Sequence, residues 1–159
     1  MTESLVGQTS RDIKVNLTSE WACDRQDSST VWFKGRLPRS WLDQFHNSLR
    51  EISPTRFGFE KSAAQLDENF GIVAQCDRTT IAITDHCNSV PILFGRGDSD
   101  IIGSSGSDIA RCLSLGLSDI SLDAALSVAM SGYTIGNDTL YPSIQIMSPG
   151  SVMVLHPGQ

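Results

Sequence analysis

The chain has 159 residues, 40% of them hydrophobic and 19% charged, with a formal net charge of −6. This is one domain's worth of chain with enough apolar material for a packed core, which excludes a disordered polyelectrolyte and a two-domain enzyme. The acidic balance and the lack of any basic run exclude nucleic acid and an anionic membrane as the main partner. No stretch reaches the roughly 18–20 continuous apolar residues of a membrane span. The start MTESLVGQTSRDIK has no hydrophobic signal region, so a cytoplasmic location is expected. In that setting the N-x-T triplets at Asn16 and Asn137 are chance matches. Cys23, Cys76, Cys87 and Cys112 show no zinc spacing and are expected to be buried free thiols.

In chain order, residues 13–23 and 31–37 read as two extended pieces, with DRQDSST as the turn between them. Next, Trp41, Leu42, Phe45, Leu49 and Ile52 recur at helical spacing. Ser40 with Asp43 resembles a capping box, and Ser53-Pro54 ends the helix. Residues 54–68 read as a looser stretch. NFGIVAQCDRTTIAITDH then predicts a hairpin about Asp77-Arg78, with Cys76 facing Thr79, Ala74 facing Ile81 and Ile72 facing Ile83. That register puts Cys87 about 26 Å beyond the Cys76 pairing position, far outside disulfide reach.

VPILFG predicts a short strand, GRGDSD a turn, and DIIGSS a strand feeding a helix that starts near Ser107 and stops at Gly116. A second helix is expected from Ser121, with Leu122, Ala125, Leu126, Ala129 and Met130 on one side and Gly132 as its stop. SIQIM and SVMVL alternate about Pro149-Gly150 and predict a closing hairpin. Strands that neighbour one another in sequence, with helices set apart, give an α+β domain of antiparallel sheet. His46 falls among polar neighbours and reads as a solvated residue, His86 as a structural hydrogen-bonding group and His156 as part of a terminal loop. Trp21, Trp32 and Trp41 read as core residues. Three scattered histidines make no metal set.

Three blocks from Asn69 onward carry a likeness. Asp85, Asn88, Pro91, Ile92, Leu93 and Phe94 follow a strand–turn–strand run as in a D-x-x-G-x-x-P-L-Y motif, and T-D-H-x-x-S-V-P is spelled by Thr84 to Pro91. DIIGSSGSDIARCL occupies a strand-to-helix position, and Gly132, Tyr133, Gly136, Thr139, Ile144, Pro149 and Gly150 follow a G-Y-x-x-G closing pattern. In these blocks the chain resembles the class II glutamine amidotransferase domain of the asparagine-synthetase and β-lactam-synthetase family. The likeness covers residues 69–159 of a single domain spanning 1–159, with residues 1–68 divergent and shortened.

The resemblance implies an N-terminal-nucleophile hydrolase fold, a four-layer α/β/β/α sandwich of antiparallel sheets. It also implies a domain that releases ammonia from glutamine for an ATP-dependent ligase domain, in which ATP and magnesium act. This domain itself would hold no cofactor. The family's nucleophile is an N-terminal cysteine whose own α-amine is the base. Position 2 is Thr2, and Cys23 would become N-terminal only after loss of 22 residues; the apolar, glycine-rich strand that should follow the nucleophile is absent at both. The family's oxyanion-stabilising Asn-Gly pair falls on Lys34-Gly35, an ammonium in place of a carboxamide, and losing one such donor typically costs about 100- to 1000-fold.

The expected function is therefore a degenerate amidotransferase-like domain without glutaminase activity, a platform for a C-terminal or separate ligase domain, with an apolar patch where that partner docks. The chain would be an excised N-terminal segment or a small subunit acting in trans, and homodimers are left open. Alternatives are an active glutamine hydrolase using Thr2 or Cys23, with Gly35 as an oxyanion donor, and a stand-alone interaction module. Ser104, Gly106 and Asp108 coincide with part of an S-G-G-x-D-S pyrophosphate loop, where a helix N-terminus accepts an anion.

Overall fold

The computed structural model describes residues 13–50, 56–77 and 79–156. They form nine strands in two sheets and four α-helices, a mixed α+β arrangement. The strands are β1 (Ile13–Asn16), β2 (Ala22–Gln26), β3 (Ser29–Gly35), β4 (Phe70–Cys76), β5 (Thr79–Thr84), β6 (Leu93–Gly95), β7 (Asp100–Gly103), β8 (Ile144–Ile146) and β9 (Val152–Leu155). The helices are α1 (Arg39–Leu49), α2 (Arg56–Ala63), α3 (Gly106–Cys112) and α4 (Leu122–Ser131). One sheet runs β1-β7-β6-β8 and the other β2-β3-β4-β5-β9.

Period-2 alternation in the five-stranded sheet feeds two different cores. Val31, Ile72, Ala74, Ile81, Ile83 and Val152 turn to a cluster shared with Trp41, Leu42 and Phe45 of α1 and Phe59 of α2. Val73, Ala82 and partly buried Trp32 and Met153 turn the other way, into a cluster shared with Phe94 and Ile102 of the four-stranded sheet and with Trp21. The opposite face of that second sheet, through Leu93, Ile101 and Ile144, meets Ile109 and Ala110 of α3. In the first cluster Trp41 stacks on Phe45 at 4.7 Å between centroids, and Phe45 meets Phe59 edge-on at 5.5 Å.

The β4–β5 hairpin has the expected register, with Cys76 opposite Thr79, Ala74 opposite Ile81 and Ile72 opposite Ile83. The cap of α4 also follows the sequence reading: Ser121 Oγ accepts the Ala124 N–H at 3.3 Å, and Gly132 closes the helix at φ +85°.

Several expectations are corrected. The extended piece 13–23 is two strands in different sheets, because a turn, with Trp21 N–H bonded to Thr18 C=O at 3.2 Å, redirects the chain after β1. The β2–β3 turn is tighter than DRQDSST: pairing continues to Gln26 and Ser29, and Asp27 takes the left-handed φ of +47°.

Ser40 does not cap α1. Pro38 holds the N-cap position, its carbonyl accepting the Leu42 N–H at 3.1 Å, and the helix stops at Leu49. Ile52, Ser53 and Pro54 lie outside the described residues, as does Arg78. The loose stretch contains α2, which the Trp41 indole anchors by donating to Ser62 C=O at 2.9 Å.

SIQIM and SVMVL do not pair with each other. β8 pairs with β6 and β9 with β5, so the Pro149-Gly150 turn carries the chain from one sheet to the other, with Gly150 at φ +60°. Both sheets are antiparallel apart from the β1–β7 pair, which is parallel. No helix among the described residues is long and apolar enough to cross a membrane.

Candidate functional site

The segment from Thr84 to Phe94 is organised by one carboxylate. Asp85 is 5% exposed and accepts the N–H groups of Phe70 at 2.9 Å, Cys87 at 2.7 Å and Ser89 at 3.2 Å, with the Ser89 hydroxyl at 3.4 Å. Burial pushes this carboxyl up, but the combined hydrogen bonds from Ser89, Phe70 and Cys87 outweigh it and hold the pKa below the ordinary aspartate value. The next layer ties both sheets together. Asp85 C=O accepts the Gly150 N–H at 2.7 Å, and the Thr84 hydroxyl donates to Ser148 C=O at 2.7 Å and accepts the Ser151 N–H at 3.2 Å. A hollow of about 250 Å³ opens beside this knot, lined by Glu60, Ala63, Phe70, Asp85, His86 and Gly150. With both its oxygens committed to backbone donors, Asp85 positions the turn and is no free base.

Cys23 is not among the residues that line this hollow. Thr2 lies outside the described residues. Cys23 is exposed in β2 and paired opposite Trp32, an internal strand residue with a peptide nitrogen rather than an α-amine. Cutting before it would sever β1 and the buried Trp21 from the body of the chain. Gly35 ends β3 at φ +116°, packed so closely on Asn69 C=O that a Cβ would run into that oxygen. The ammonium of its neighbour Lys34 is paired with Glu20. Of the four thiols, Cys76 is buried as expected, whereas Cys23, Cys87 and Cys112 are exposed.

No protein-family profile matches the chain, and no curated protein does.

His46 departs from its sequence reading. It is fully buried, with Nε2 3.1 Å from Asp24 Oδ2 and Nδ1 2.6 Å from Ser29 Oγ. The helical stripe holds the signal, since His46 stands four residues after Leu42 and three before Leu49, on the apolar face of α1. Burial raises the Asp24 carboxyl, and the Arg39 guanidinium, bonded at 2.8 Å, together with His46 brings it down below the usual carboxylate value. The order carboxylate, imidazole, hydroxyl is that of a nucleophilic triad. Ser29, however, is 1% exposed and also bonds Gln26 C=O at 2.9 Å, so its hydroxyl has no access to substrate. The set fastens the β2–β3 hairpin to α1.

Ser104, Gly106 and Asp108 lie at the β7–α3 junction, where the helix is seven residues long and Ser105 Oγ already accepts the Asp108 N–H at 3.3 Å. Among the described residues no three His, Cys, Asp or Glu side chains come close enough to share a metal ion. His86 is exposed, and exposed His156 lies 3.2 Å from the Thr79 hydroxyl.

Proposed function

We propose that the chain is a degenerate class II glutamine amidotransferase-like domain with the four-layer α/β/β/α sandwich of N-terminal-nucleophile hydrolases. In this reading it has no glutaminase activity and acts as the platform or partner of an asparagine-synthetase-type ligase domain, which supplies the ATP and magnesium chemistry. The observation that carries the reading is the order of packed faces: α1 and α2 against one face of the five-stranded sheet, that sheet's other face against the four-stranded sheet, and α3 beyond. The T-D-H-x-x-S-V-P turn, knotted by Asp85 next to the sheet-crossing Pro149-Gly150 turn, adds support, because the two most family-like blocks meet there.

Neither Cys23 nor Gly35 has the environment an N-terminal thiol and its oxyanion donors need. A glutamine-mimicking diazoketone followed by intact mass measurement should leave the protein unmodified, and incubation with glutamine should release no glutamate. An adduct on Thr2 or Cys23 would establish the active hydrolase instead. A pyrophosphate-loop S-G-G-x-D-S sequence in the reading frame after Gln159, or in a protein that binds the chain stoichiometrically, is the positive expectation. Failure to bind any such ligase leaves the stand-alone interaction module.

A further inference from the structure

α4 contributes no buried residue, although its sequence LDAALSVAMS is largely apolar. Leu122, Leu126 and Met130 stand at i, i+4 and i+8, one stripe along the helix, at 73%, 51% and 87% exposure. Leu117 before the helix and Tyr133 and Ile135 after it are exposed as well. At roughly 200 Å² for a fully exposed side chain of this size, the three residues of the stripe alone present about 400 Å², the scale of the largest apolar patch on an ordinary monomer. The patch continues into a groove of about 520 Å³ between α3 and the segment before β8, lined by Ala110, Leu115, Leu140 and Tyr141. Leu140 C=O accepts the Ser121 N–H at 2.9 Å, which joins groove and helix into one surface.

Charge decides what covers it. From Cys112 to Gln159 the chain contains no lysine or arginine, and its charged residues there are Asp119, Asp123 and Asp138, all exposed. Arg111, at the edge of the groove, is paired with Asp108 at 3.1 Å. The surface is thus apolar with an acidic rim. A second copy would set acidic rim against acidic rim across a two-fold axis, which costs energy at an interface. The geometry points to a protein partner that offers an apolar helix or ridge flanked by lysine and arginine, docking along α4 with a side chain in the groove. This rests on exposure and charge alone and holds whether or not the chain is amidotransferase-like.

Two synthetic amphipathic helices with the same leucine face, one flanked by lysine and arginine and the other by glutamate, test it by NMR titration of the full chain. The basic peptide should shift the signals of Leu122, Leu126 and Met130, bind at least about tenfold more tightly than the acidic one, and weaken as salt is raised. Leu126→Ser with Met130→Ser, both exposed positions, should weaken it by a further factor of about ten or more. Asp123→Lys with Asp138→Lys should reverse the preference between the peptides. Equal binding of both, shifts away from α4, no binding, an affinity unchanged in either variant, or a dimer held through α4 in sedimentation equilibrium would each overturn the assignment.

Discussion

Replacing Asp85 with asparagine should cost about 3 kcal/mol of folding free energy. The two carboxylate oxygens divide their work: Oδ1 accepts the Cys87 N–H at 2.7 Å and Oδ2 the Phe70 N–H at 2.9 Å, with Ser89 N–H shared between them. An amide has one oxygen, so either orientation of the asparagine aims its NH₂ at a backbone donor. One N–H is left without an acceptor, at about 1–3 kcal/mol, and the bonds that survive lose their charge assistance. For a domain of this size the sum corresponds to roughly 6–12 °C in Tm.

The pH dependence gives an independent check. A carboxyl whose folded-state pKa is depressed contributes its full stabilisation above the unfolded-state value of about 3.9, and that contribution is lost as pH falls through the folded value. Urea unfolding of both proteins should therefore show the wild-type advantage whole at pH 7 and narrowing below pH 4. An advantage under about 1 kcal/mol at pH 7, or one that persists unchanged to pH 2, would refute the assigned role.

Three further substitutions probe other parts of the chain. His46→Ala should cost about 3 kcal/mol in the same unfolding assay, because it leaves a cavity on the buried face of α1 and removes the hydrogen bonds of the imidazole to Ser29 and Asp24, whereas a solvated histidine would give a change within about 0.5 kcal/mol. Gly35→Ala should cost at least about 2 kcal/mol, combining a φ of +116° with a collision at Asn69 C=O. Gly132→Ala, at φ +85° but with nothing within 4 Å of a Cβ, should cost about 1 kcal/mol, and its thermal midpoint compared with that of Gly35→Ala isolates the collision.

Local chemistry was legible where a residue pattern has one physical outcome. The β4–β5 register followed from two Ile- and Val-rich runs about a two-residue turn, and α4 from a serine cap and a glycine stop. The pattern misled where tertiary partners decide. Alternation on both sides of Pro149-Gly150 fits a hairpin, yet β8 and β9 pair with β6 and β5 in different sheets, and nothing local distinguishes a hairpin turn from a crossing between sheets. The polar sequence neighbours of His46 point to solvent, and its position on the Leu42–Leu49 stripe, which carries it inside, outweighs them. At the candidate site Asp85 was visible as part of a motif, but its backbone donors come from residues 70, 87 and 89, a convergence only the folded chain displays. The side of α4 that carries Leu122, Leu126 and Met130 was readable from spacing; its exposure was not, since spacing marks an apolar face without saying what meets it.

The parallel alignment of β1 with β7 bears on biosynthesis. Ile13 through Asn16 sit beside Asp100 through Gly103, so β1 must wait for a neighbour made much later. At about 5–20 residues per second the ribosome takes roughly 4–17 s to deliver it. During that interval the β4–β5 hairpin has already emerged, and β1 is a piece that a chaperone or a protease would meet unattached.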